Sequence, residues 1–156
     1  MLSTQAHAEI DREVSKYPDG RQQAAVMAAL RIAQEEKGWL SDEVITYVAG
    51  LLELEPIQVA EVATFYSMFD LEPIGRHKVC VCTNISCMLR GSDDVVAHLQ
   101  QRLGIKVGQT SADGRFSLHS VECLAACGGA PMMQIGKTYY ENLTPASIDE
   151  ILDGLE

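Results

Sequence analysis

The chain has 156 residues, a formal net charge of −10 and 47% hydrophobic residues. That size holds one ordinary domain or a domain with a helical extension, and that hydrophobic content belongs to a globular chain rather than a disordered one. The charge argues against nucleic acid, whose phosphates need a basic surface, and against direct docking on anionic lipid; no apolar run approaches the ~18 residues of a membrane span.

Residues 1–73 carry helical periodicity throughout. AEIDREVSKYP sets Ile10, Val14 and Tyr17 on one face, and Pro18-Asp19-Gly20 ends it. QAAVMAALRIAQEEKGW repeats the spacing through Val26, Leu30 and Ala33, with Gly38 as its stop. Ser41 is the N-cap of a third helix, with Asp42 and Glu43 in its first turn and Ile45, Val48 and Leu52 on its apolar face. A fourth begins at Pro56 and is predicted to run through Val59, Val62, Tyr66 and Phe69. The aromatics Trp39, Phe65, Tyr66 and Phe69 admit two readings: packing within the bundle, or a contact surface for a partner.

From residue 74 the period changes. Lys78 to Cys82 reads as a buried strand, Asp93 to Leu103 as a helix stopped by Gly104. Phe116 to Val121, Met132 to Ile135 and Thr138 to Tyr140 are short strands, the last two joined by a Gly136-Lys137 hairpin. Thr144-Pro145 opens a closing helix with Ile148, Ile151, Leu152 and Leu155 on its apolar face. Residues 74–156 are therefore expected to form a small mixed layer of strands and helices, an α/β or α+β class, behind an all-helical prefix.

The cysteines carry the chemistry. Their number is odd, and MLSTQAHAEIDREV places charge where a secretory leader places its apolar stretch, so metal or redox chemistry in a cytoplasmic chain is favoured over a disulfide framework. Apart from Cys80 the pattern is C-x4-C at Cys82 and Cys87, then, after 35 residues, C-x3-C at Cys123 and Cys127. The loop Thr83–Ser86 is expected to bend the first two sulfurs inward. The i, i+4 spacing of the second two would put both on one side of a helical turn. Gly128 and Gly129 would then let backbone amides approach closely. Spacing alone admits a tetrahedral zinc or a pair of bridged irons. It departs from plant-type ferredoxin, in which C-x4-C continues at once as C-x2-C.

Three runs, GRHKVCVCTNISCMLRG, DGRFSLHSVECLAACGGAPMM and YYENLTP, together with VATFYSMF, resemble the 24-kDa subunit family of bacterial NADH:quinone oxidoreductase (complex I). The likeness spans nearly the whole chain. It implies a helical bundle (1–73) followed by a thioredoxin-like [2Fe–2S] ferredoxin domain (74–156), with one [2Fe–2S] cluster held by Cys82, Cys87, Cys123 and Cys127. It implies a tight partner, the subunit that carries FMN and binds NADH, and a role as reservoir for one electron rather than a link toward quinone. It also implies a cytoplasmic place, peripheral to the inner membrane through the assembled complex. Two alternatives stay open: the equivalent diaphorase subunit of an NAD-linked hydrogenase or formate dehydrogenase, and a zinc-bearing interaction module. No G-x-G-x-x-G follows a strand, so a nicotinamide site is expected on the partner.

Around this centre Cys80 is expected to be a small buried hydrophobe on the same strand side as Cys82. Glu122 would lower the reduction potential if it is ionised and near. Arg90 would hydrogen-bond near the centre or to a partner, Asp93 and Asp94 would stabilise the next helix through its dipole, and a cis bond is expected before Pro131. His77, His98 and His119 lack the paired spacing of a Rieske site.

Overall fold

A computed structural model describes residues 1–155, and the chain divides into two compact units, Met1–Pro73 and Ile74–Glu156. The first is all-helical: α1 (Thr4–Val14), a 3-10 turn (Gln22–Ala25), α2 (Val26–Lys37), α3 (Asp42–Leu51) and α4 (Pro56–Phe65). Side-chain caps begin the helices. Ser3 Oγ accepts from the Ala6 N–H and Ser41 Oγ from the Val44 N–H, while Glu55 and Gln58 form a reciprocal box ahead of Pro56. Gly38 ends α2 in the left-handed region, at φ 83°, and returns its N–H to the Gln34 carbonyl. The core joins Ile10, Leu30, Leu40, Val48, Leu52 and Val59, each nearly or wholly removed from water. A buried side chain of this kind contributes about 1.5–3 kcal/mol.

Two expectations change here. α1 stops at Val14, so Tyr17 lies beyond the helix and is 42% exposed. α4 stops at Phe65, because Tyr66 turns to extended backbone at φ −94°, ψ 117°. Phe69 is nonetheless core, at 6% exposed. What returns it is one amide: Gln34 donates Nε2–H to the Met68 carbonyl (3.0 Å) and accepts the Asp70 N–H (2.7 Å), while Leu40 N–H donates to the Asp70 carbonyl (2.8 Å). The aromatics therefore divide. Phe69 packs inside, Trp39 is half-buried, and Phe65 and Tyr66 are exposed, stacked edge to face at 5.0 Å.

The second unit is a five-stranded sheet in the order β2-β3-β1-β4-β5. Its strands are β1 (His77–Cys82), β2 (Gln109–Thr110), β3 (Phe116–Val121), β4 (Met133–Ile135) and β5 (Thr138–Tyr140). β1 and β3 are parallel, joined by a crossover through α5 (Ile85–Leu89) and α6 (Ser92–Leu103); β4, β5 and β2 run antiparallel to their neighbours. α7 (Pro145–Asp153) closes the unit behind a Thr144–Ser147 capping box. Period-two alternation in β1 sends Val79 and Val81 to a core with Leu118, Met133, Leu99 and Ile148. The hairpin needs Gly136 for its positive φ of 60°. Sequence periodicity missed α5, a single short turn, and β2, too short to alternate.

Candidate metal centre

Strand register decides where the sulfurs meet. In the parallel ladder Cys82, the last residue of β1, lies opposite Val121, the last of β3. The Thr83 N–H and Oγ1 both donate to the Val121 carbonyl, at 3.0 and 3.2 Å, binding the two strand ends together. Cys123 follows β3 by two residues, so both cysteine pairs emerge at one carboxyl edge of the sheet, where open α/β sheets place ligands.

Past β1 the chain does not make a plain loop. Asn84, at φ −67° and ψ 168°, caps α5 by accepting the Ile85 N–H (2.7 Å), and that helix delivers Cys87 to the interior, 1% exposed beside Cys82 at 3%. The Asn84 cap was the sequence signal for α5. The second pair also departs from expectation. Ala125 is left-handed (φ 59°) and Ala126 sits at φ −112°, ψ 49°, so residues 123–126 form no helical turn; Cys127 instead opens a 3-10 turn, Cys127–Gly129. Leu124 and Ala126 pack against Cys82, Cys87, Ala130 and Met132 beneath the sulfurs.

Backbone amides face these sulfurs. Burial pushes the Cys82 thiol up, but the N–H groups of Asn84 and Leu124 and hydrogen bonds with the Cys87 and Cys123 thiols outweigh it, and the thiol is lowered. Burial, the hydrogen bond with Cys82 and its charge raise Cys87 to about 11, against the Met132 N–H, and Cys127 adds to the rise. Ala125 N–H donates to Cys123 Sγ at 3.3 Å. A metal that takes all four sulfurs must release their protons. Among the described residues no three His, Cys, Asp or Glu side chains close tightly enough to hold one ion. An all-thiol donor set with amides aimed at its sulfurs fits an iron–sulfur cluster, which thiolates bind and such hydrogen bonds tune.

The remaining residues fall as follows. Cys80, between Val79 and Val81, is half-buried rather than core. Glu122 is exposed, and it is its carbonyl that faces Cys82, 3.9 Å from Sγ. Arg90 is exposed and ends α5, its N–H on the Cys87 carbonyl. Asp93 and Asp94 do occupy the first turn of α6, and the Ala130–Pro131 bond is cis. His77 lies at the far end of β1, against Phe116, and His98 pairs with Asp149 at 3.0 Å. Sequence reasoning gave no role to Met132, whose N–H acts on Cys87 while its carbonyl accepts the Cys82 N–H at 3.2 Å.

A mixed sheet with two cysteine pairs following adjacent parallel strands is an arrangement that suits an iron–sulfur ferredoxin. Residues 10–156 match the thioredoxin-like [2Fe-2S] ferredoxin family, and the chain belongs to it; its cofactor is a [2Fe–2S] cluster, which answers the choice between cluster and zinc. The chain is 48% identical over 145 residues to the E 2 subunit of NADH-quinone oxidoreductase from Rhizobium meliloti (strain 1021), covering 93% of this chain and 85% of that one. It is 44% identical over 143 residues to the E subunit of NADH-quinone oxidoreductase from Rickettsia bellii (strain RML369-C), covering 91% and 86%. Among solved structures, an NAD+-reducing [NiFe]-hydrogenase in its air-oxidized state superposes with a TM-score of 0.76 at 23% identity. That match covers 89% of this chain but only 24% of the hydrogenase chain, a likeness of fold.

Proposed function

We propose that the chain is the [2Fe–2S] electron-transfer subunit of an NADH:quinone oxidoreductase, with Cys82, Cys87, Cys123 and Cys127 as the cluster ligands. The observation that carries this is the β1–β3 register, which sets Cys82 opposite Val121 and so brings both cysteine pairs to one edge of the sheet. When bound, the cluster supplies a site that takes up and returns a single electron without bonding a substrate. The chain's own part is electrostatic and steric. The N–H groups of Asn84, Leu124, Ala125 and Met132 stabilise negative sulfur, and burial of Cys82 and Cys87 keeps water from that side.

The partner in this reading is the subunit carrying FMN and binding NADH, in a tight heterodimer. A surface for it lies on α5, the helix that carries Cys87: Ile85, Met88 and Leu89 are 63%, 48% and 78% exposed. No helix among the described residues is long and apolar enough to cross a membrane, which accords with peripheral attachment through the complex. The identity of 48% to a component of a quinone-reducing complex favours this reading over the hydrogenase diaphorase, whose likeness is at the level of fold.

The test is to mix the holoprotein with its flavin subunit and follow NADH-driven bleaching of the visible cluster band. Bleaching that needs both subunits is the expected result. A band that NADH plus flavin subunit leaves unchanged while dithionite bleaches it would exclude electron exchange with that partner.

A further inference from the structure

Gly129 is a glycine for want of space. Its backbone is not left-handed, yet a β carbon there would lie 2.6 Å from the Glu141 Cβ and closer still to the Glu141 carboxyl. The Glu141 side chain thus occupies the volume a residue at 129 would fill. Two backbone bonds hold the chain just after it: Asn142 N–H donates to the Gly129 carbonyl at 2.7 Å, and Leu143 N–H to the Pro131 carbonyl at 3.0 Å. Asn142 takes a positive φ of 52° to make the first of them, and Leu143 is buried at 6% exposed. A carboxylate from the β5–α7 connection is thereby laid over the turn that begins at Cys127. Cys127 and Gly129 are two residues apart, so their Cα atoms are within about 7.6 Å.

We propose that Glu141 tunes the iron–sulfur centre, its charge opposing the negative charge that reduction adds and so holding the reduction potential down. This rests on Cys127 as a ligand. The physical reason is Coulombic: a nearby negative charge raises the energy of the reduced centre more than that of the oxidised one. Glu122, adjacent in sequence to Cys123, presents its carbonyl to the sulfurs, whereas Glu141 is distant in sequence and held in place by the fold. The Glu141 side chain remains exposed, so its influence passes partly through solvent and is screened by salt.

The experiment is a spectroscopic redox titration of the holoprotein in wild type, Glu141→Gln and Glu141→Ala, at low ionic strength and in 1 M salt. The expected result is a positive shift of the potential in Glu141→Gln, a shift of the same sign in Glu141→Ala, and a narrowing of both differences in high salt. An unmoved or lowered potential in Glu141→Gln overturns the proposal. So does a shift confined to Glu141→Ala, which would assign the effect to packing over Gly129. The ligand assignment fails by a different result, an unaltered cluster spectrum in Cys127→Ser, and that result leaves the Glu141 comparison readable.

Discussion

The backbone N–H of Cys82 donates to the carbonyl of Met132 at 3.2 Å, tying the first cysteine pair to the segment that follows the second. This bond joins the end of β1 to the chain that leaves Cys127. Serine substitutions at the cysteines leave both backbone partners of this bond in place.

Serine at position 82 or 87 replaces a buried soft donor with a harder oxygen, and serine at 123 or 127 does so at the exposed side. Each is expected to abolish or strongly alter the visible cluster spectrum. Cys80→Ser, on the half-buried strand position two residues earlier, should leave that spectrum unchanged; a changed one would add Cys80 to the ligands. Absorption of the purified variants decides it.

Gly75 has no room for a methyl group. A β carbon there would come within 2.8 Å of the Phe116 carbonyl carbon and 2.9 Å of the Phe116 nitrogen, both backbone atoms of a central strand. The same residue donates its N–H to Ser117 Oγ at 2.7 Å. Gly75→Ala should destabilise the chain by about 1–3 kcal/mol through overpacking, measured as a lower urea midpoint at unchanged slope.

Gln34 bridges Met68 and Asp70 with one amide. Gln34→Ala strands both backbone groups and loosens the turn that buries Phe69, and should cost about 1–3 kcal/mol. Because Asp70 is 8% exposed, water cannot fully replace the lost bond. Gln34→Glu keeps an acceptor for the Asp70 N–H but loses the donor to Met68, and should fall between wild type and Gln34→Ala in equilibrium unfolding.

Glu36 is held well below the usual carboxylate range, at about 2, by the hydroxyl and then the N–H of Ser3, with Lys37 assisting. The Ser3 N–H reaches its two oxygens at 3.1 and 2.9 Å. Its folded value is depressed, so its contribution is present above the ordinary 4.5 and is lost as pH falls toward 2. Glu36→Gln should therefore be less stable than wild type near neutrality, and the difference should close between those two values. A difference that stays constant across that range would show the carboxylate charge to be irrelevant.

Helix starts are legible because capping chemistry is local: Ser41, Pro56 and Thr144 each mark a boundary where it falls. The strands are legible by period. What sequence does not disclose are features fixed by contacts distant along the chain. The turn that returns Phe69 to the core depends on Gln34, more than thirty positions earlier. Ala125 takes a left-handed φ that no alanine announces. Glu141 reaches the Cys127 turn only once the β4–β5 hairpin has formed, so the crowding that makes position 129 a glycine is invisible in the local run of residues.

The sulfurs differ in accessibility: Cys82 and Cys87 are sealed in, Cys123 and Cys127 face outward. The centre therefore resembles a drawer with a single open front. With these four sulfurs as the proposed ligands, a donor delivering iron and sulfide would approach from the Cys123–Cys127 side, a chelator would strip the centre from there, and peroxide would reach those two thiols first. Cluster insertion and oxidative damage would then share one doorway.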